Sequence, residues 1–407
     1  MIFSCLRPAC QDFYIEPEIS HSPLTPFTKQ DVLELQQKNI RNTHRLPGHD
    51  DYRSQMMRAV IQNLIEESIP YRDGHYAQAY HKLMAMKRGQ REFSVKEAVF
   101  AVENAYLSNR LSYENFERRI KGFVNFIHEA IDQSGLDPAK ESTKHYVLFQ
   151  FMSDTLTIDH PQLEKTLTHY PMTYDFEDFR GGDDYANVFV SKLMYEGSGQ
   201  CRSMPLLYLI LAEELGIDAH LALAPEHSYI KIQDQSGEFY NLELTQGTYV
   251  SDGFIMGSGY INSNALKNKL YMDTLSQNQL VTQLLNDLNT GYVRKYGWDD
   301  YAIARTDEVL NEAPDNLVAR MHKSNSILDE MQREANKNRY VSVEHFARKN
   351  NYGRYLNHLW GQQYQKLMEL GYQAMPEDAY KAWLASLNEQ KRKQKRTVKM
   401  DDNLQKF

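Results

Sequence analysis

The sequence predicts an α+β chain, rich in helices, with one small antiparallel sheet near its middle. Three features lead there. Apolar residues recur at the helical period over long stretches on both sides of the centre. A run that is apolar almost all round, residues 201–215 (CRSMPLLYLILAEEL), ends at Gly216, as a buried helix with a glycine stop would. Short alternating runs follow it: HLALA at 220–224, SYIKI at 228–232 and EFYNLEL at 238–244. The last two, joined through Asp234, Gln235, Ser236 and Gly237, read as a β-hairpin.

The bulk properties agree with a globular chain. Its 407 residues fit two or three domains, and 42% apolar with 25% charged residues supply an ordinary core. The net charge of −8 argues against a broad electrostatic grip on nucleic acid or anionic lipid. The longest wholly apolar run, residues 204–212, is too short to cross a bilayer. The three cysteines, Cys5, Cys10 and Cys201, cannot make a disulfide framework, and no CxxC pair suggests zinc. The start, MIFSCLRPACQDFY, lacks a basic n-region and a full apolar h-region. Localisation is therefore cytoplasmic as written, or exported if a leader precedes this start.

Five regions follow along the chain. Residues 1–50, with scattered Pro, His and Asp, read as an extended arm. Residues 51–165 read as a helical region packed on the core. Met56, Met57, Val60, Ile61, Leu64 and Ile65 form one apolar face, and Gly74 and Gly89 bracket another amphipathic stretch. Ser94 and Glu97 make a capping box. Ser112 opens a long helix with Phe116, Ile120, Phe123, Val124, Ile127 and Ile131 on one stripe, stopped by Gly135, and residues 143–157 read as a further helix. Residues 166–275 form the core, with turn signals at Gly181-Gly182 and at 197–199. Residues 276–390 read as helical and repeat-like, with Pro-acidic turns at Pro314-Asp315 and Pro376-Glu377. The spacing of those prolines is not a multiple of the roughly 34-residue tetratricopeptide period, so the array is degenerate. Residues 391–407 are a solvated charged tail.

One constellation points to chemistry. Cys201 falls at the predicted N-terminus of the buried helix, where free amides and the helix dipole favour a thiolate. A nucleophilic thiol needs a base, and His227 opens the first hairpin strand, one helix and one strand downstream. The base needs an acceptor to orient it. Glu243 on the second hairpin strand, or Asn241 on the same face, would serve. The Cys201 amide and the Gln200 side chain are candidate oxyanion donors.

These residues resemble a known family. The stretch SGQCRSMPLLYLILAEELGIDAHLALAPEHSYIKIQDQSGEFYNLELTQG is similar to the core of transglutaminase-like cysteine proteins. The resemblance lies in Gly199-Gln200-Cys201, in Leu215-Gly216-Ile217 leaving the helix, in His227-Ser228-Tyr229 and in Glu243. It covers about residues 175–256. It implies a papain-like arrangement, in which a nucleophile helix packs on a small antiparallel sheet, with helical regions on both flanks. The chain is similar in particular to bacterial proteins that follow such a core with tetratricopeptide repeats. Three departures stand out: Glu243 replaces the family's Asp, Arg202 replaces a tryptophan beside the cysteine, and Ser228-Tyr229 replaces Ala-Trp. Arg202 at that place would crowd or charge the groove.

The implied activity is cysteine-dependent, protease-like hydrolysis or acyl transfer at an amide or peptide bond through Cys201, His227 and Glu243, with Gln200 and Asn241 in support. It requires no metal or organic cofactor. The implied substrate is a peptide or protein, and the C-terminal helices offer a surface for a protein partner. The alternative is a catalytically silent protein of the same architecture that binds peptides or acts as a scaffold. A metal hydrolase is the weakest reading, because no HExxH occurs.

Overall fold

The computed structural model describes residues 74–160, 165–259 and 261–373. The expected arm, the helical face at 56–65, Cys5 and Cys10, the second Pro-acidic turn and the charged tail lie outside the described residues.

Four helices precede the sheet: α1 (Gly74–Lys87), α2 (Val95–Tyr106), α3 (Tyr113–Gln133) and α4 (Glu141–Ser153). The predicted stripe of α3 is its buried face, with Phe116, Ile120, Val124, Ile127 and Ile131 inside. Ser112 caps that helix through the Asn115 amide, as Ser94 caps α2 through the Glu97 amide. The reciprocal half of the Ser94 capping box is absent. Glu97 pairs with Lys82 and Arg91 instead, and the Glu213 carboxylate receives the Val95 and Lys96 amides at 2.8 and 3.2 Å. A carboxylate at the positive helix end thus adds to the Ser94 cap and ties α2 to a distant helix.

The chain then forms a hairpin, β1 (Leu156–His160) with β2 (Lys165–His169), and a two-residue strand β3 (Thr173–Tyr174). A short helix α5 (Val190–Glu196) ends at Gly197, whose φ of 72° suits a residue without a side chain. Strand β4 (Ser198–Gly199) runs parallel to β3, with Tyr174 opposite Gly199. Helix α6 (Ser203–Leu215) follows, buried on nearly every side and closed by Gly216 at φ 63°. It packs against α2, α3, α4 and α5 and against the sheet. The sheet is antiparallel in the order β5 (His220–Ala224), β6 (His227–Gln233), β7 (Phe239–Glu243) and β8 (Thr248–Val250). The predicted hairpin is β6–β7; β8 extends it beyond the alternation legible in the sequence.

Two short helices, α7 (Asp252–Gly259) and α8 (Ser263–Lys267), lead to α9 (Gln277–Tyr296), α10 (Asp300–Glu312), α11 (Leu317–Lys337), α12 (Val343–Lys349) and α13 (Asn351–Leu370). The predicted turn at 313–316 separates α10 from α11, and Asn316 caps the latter. One hydrophobic core runs from α1–α4 through α6 and the sheet to α9 and α10. Gly371, at φ 103°, lets the end of α13 touch α8, where any Cβ would come within 2.3 Å of the Ala265 amide nitrogen. No helix of the described residues is long and apolar enough to cross a membrane.

Candidate functional site

Strand β4 delivers Cys201. Gly199 lies so close to α6 that an added Cβ would stand 2.5 Å from Ser203 Oγ. That hydroxyl accepts the Gln200 amide at 3.0 Å, and the Gln200 carbonyl accepts the Met204 amide at 3.0 Å. The helical turn therefore begins at Gln200. Cys201 sits in the turn just ahead of α6, and is 9% exposed.

The hairpin between β5 and β6 brings the base. Ala224 pairs with His227, so Pro225 and Glu226 form a two-residue turn. Proline fixes the first φ, and Glu226 takes the left-handed value of 56°. The Glu226 carbonyl oxygen lies 3.9 Å from Cys201 Sγ, and Ser228 Oγ donates to the Cys201 carbonyl at 2.5 Å. Both contacts pin the start of β6 to the cysteine turn. Arg180 forms an ion pair with Glu226 at 3.1 Å.

His227 Nε2 meets Glu243 Oε2 at 2.5 Å. The other carboxylate oxygen receives the Thr245 amide at 3.0 Å and the Thr245 hydroxyl at 2.6 Å. With Nε2 facing the carboxylate, Nδ1 is the ring nitrogen left for the thiol. Burial would lower the His227 pKa, but the Glu243 charge and the Cys201 thiol outweigh it and raise it to about 10. Burial would raise the Cys201 pKa, and the hydrogen bond and charge of His227 carry it below the ordinary thiol value. Burial likewise works against the Glu243 carboxylate, yet His227 and Thr245 hold its pKa down. The three groups thus stabilise a thiolate, an imidazolium and a carboxylate together.

Of the predicted site residues, Cys201, His227 and Glu243 converge. Asn241 does not join them: its Nδ2 donates to the Val250 carbonyl at 3.2 Å and to Asp252 at 2.7 Å, toward β8 and α7. Gln200 is fully buried outside the cavity wall, and neither end of its carboxamide has a partner. Arg202 neither crowds nor charges the groove as a free cation. It is buried, with Nε 2.9 Å from Asp287 of α9 and Nη1 donating to the Val188 carbonyl at 3.0 Å.

Two participants were not legible. Thr245 holds Glu243 from just beyond the strand end. Tyr174 lies on β3 beside Gly199, and its phenol pKa is raised well above normal by burial and by the Cys201 and Glu243 charges. Nothing in its local sequence marks it, because a two-residue parallel pairing leaves no periodic signal.

Cys201 and His227 open onto a cavity of about 510 Å³. Its opposite wall is α9 and the turn at 313–317. The segment after α8 closes the edge of β5, with the Met272 amide on the Leu223 carbonyl at 2.9 Å and the Leu275 amide on the Leu221 carbonyl at 2.8 Å. Among the described residues, no group of three or more His, Cys, Asp or Glu is placed to hold a metal ion.

No protein-family model matches the chain, and no curated protein matches it. Among solved structures, one of menin, described as revealing the binding site for Mixed Lineage Leukemia (MLL) protein, is similar at a TM-score of 0.32 and 14% identity, over 74% of this chain and 69% of that one. A likeness at that level assigns neither fold nor function.

Proposed function

We propose that the protein is a transglutaminase-like, papain-type cysteine hydrolase or acyltransferase, with trailing degenerate tetratricopeptide-type helices, acting on an amide bond of a peptide or protein. One observation carries the reading: Glu243 grips His227 on one ring nitrogen while the same imidazole lowers the Cys201 pKa. A structural cysteine buried in a core would instead have its pKa raised.

The thiolate of Cys201 would attack the substrate carbonyl carbon, and the carbonyl oxygen would take up the electron pair as an oxyanion. The Cys201 amide is the candidate donor to it. The His227 imidazolium would pass its proton to the leaving nitrogen as the C–N bond breaks, leaving a thioester on Cys201. Neutral His227 would then take a proton from water or an amine as that nucleophile attacks and the thiolate leaves. Glu243 would keep the imidazole in one orientation throughout.

Labelling with iodoacetamide at mildly acidic pH, and with a thiol-directed peptide electrophile, tests the reading. Both reagents should modify the wild type at Cys201 far faster than free cysteine, and neither should do so in Cys201→Ala. His227→Ala should bring Cys201 down to the rate of an ordinary thiol. Wild-type labelling no faster than free cysteine overturns the enzyme and leaves the silent, peptide-binding alternative.

A further inference from the structure

We infer that the cavity beside Cys201 selects an extended peptide segment with large apolar, uncharged side chains; this rests on the cysteine-enzyme reading above. The wall of the cavity carries the argument. Around Cys201 it carries five leucines: Leu206 of α6, Leu221 and Leu223 of β5, continued by Leu270 and Leu275. Its two buried charges, Arg202 and Asp287, face each other at 2.9 Å and cancel. The other charged residues of the wall, Lys269 and Asp315, are exposed, so a charged side chain buried among the leucines would lose its hydration and meet no counter-charge there, which costs several kcal/mol at full burial. An apolar side chain would gain what the charge loses.

The helical side explains why the apolar ligand should be a peptide rather than a bare acyl chain. It presents five carboxamides, each tied to the protein by one end. Asn278, Gln279 and Asn316 accept through their oxygens, from Lys87, Ser276 and the Ala319 amide. Asn268 and Gln283 donate through their nitrogens, to the Leu370 carbonyl and to Asp287. The opposite ends are donors in three cases and acceptors in two. A polypeptide backbone offers both kinds of group in alternation, whereas a hydrocarbon offers neither. The volume, about 510 Å³, lies in the range of pockets that hold ligands of a few residues. The cavity is also continuous with Cys201 and His227, so a segment lying in it reaches the sulfur.

The test uses the full chain and four peptidyl vinyl sulfones that differ only in the side chain next to the electrophile: Leu, Phe, Lys and Asp. A fifth probe carries an alkyl chain of equal length with no backbone amide. Rates are divided by the iodoacetamide rate of the same protein, which reads the Cys201–His227 pair without the groove. The Leu and Phe probes should react about tenfold faster or more than the Lys, Asp and alkyl probes. In Leu275→Asp the preference for Leu over Lys should fall by about tenfold. Rapid iodoacetamide labelling with no selectivity among the probes overturns this inference and leaves the enzyme standing. An alkyl probe as fast as the Leu peptide overturns the peptide assignment. Absence of accelerated iodoacetamide labelling overturns the enzyme, and this inference with it.

Discussion

His227 Nε2 and Glu243 Oε2 lie 2.5 Å apart, and the carboxylate's second oxygen is fully engaged by Thr245. The pair therefore has one available geometry, and its consequences for pH have a definite sign. Above the lowered Cys201 pKa and below about 10, where His227 deprotonates, the thiolate faces an imidazolium. Alkylation of Cys201 should hold a plateau across that window and change on its alkaline side near pH 10. In Glu243→Gln the charge that raises His227 is gone, so the alkaline limb should move down toward the ordinary histidine value of 6.5. Stability should follow the same groups. The His227 contribution, from a raised pKa, is complete below 6.5 and lost as pH rises through about 10. The Glu243 contribution, from a lowered pKa, is complete above 4.5 and lost on acidification. Melting temperatures of wild type and Glu243→Gln should converge at both extremes. A gap that stays constant across pH would mean that the pair is not ionised.

The buried ion pair between Arg202 and Asp287 joins the residue after Cys201 to the opposite wall of the cavity. Removing one partner strands a charge. Asp287→Ala should therefore cost about 3–5 kcal/mol, measured as a lower urea midpoint. The double change Arg202→Met with Asp287→Leu should cost less, because both charges of the pair go together and Glu103, the other carboxylate facing Arg202, keeps the Val190 and Ser191 amides. Its Cys201 should nonetheless react more slowly, since the turn loses its anchor on α9. Equal losses in the single and double variants would show that the charges do not interact.

How much of this was legible depends on distance along the chain. The helix at 203–215, the hairpin and the turn at Pro225-Glu226 are local features, and the residue pattern marks each of them. The Cys201, His227, Glu243 set is legible because its members sit at element ends, where spacing decides what can meet. Long-range pairings leave no such mark. Arg202 reads as a charge beside the nucleophile until Asp287, 85 residues on, is seen to neutralise it. Glu213 lies in the run read as a buried helix, and nothing local marks that it receives the first amides of a helix more than a hundred residues earlier. Asn241 and Glu243 share a face by alternation, and only the neighbouring Asp252 shows which of the two turns away from His227.

The close approach of Gly199 to α6 yields the last prediction. A Cβ at that position would stand 2.5 Å from Ser203 Oγ and 3.0 Å from Leu193 Cδ1. Overpacking of this kind typically costs about 1–3 kcal/mol. Here the displaced atoms also hold the cysteine turn, because Ser203 Oγ accepts the amide that precedes Cys201. Gly199→Ala should thus slow Cys201 alkylation at mildly acidic pH by more than the lost stability explains. Gly199→Ala with Ser203→Gly removes the hydroxyl in the way and should recover part of that rate, while the amide of Gln200 remains without its acceptor. If Gly199→Ala alkylates as fast as the wild type and melts at the same temperature, the β4–α6 contact does not set the position of the thiol.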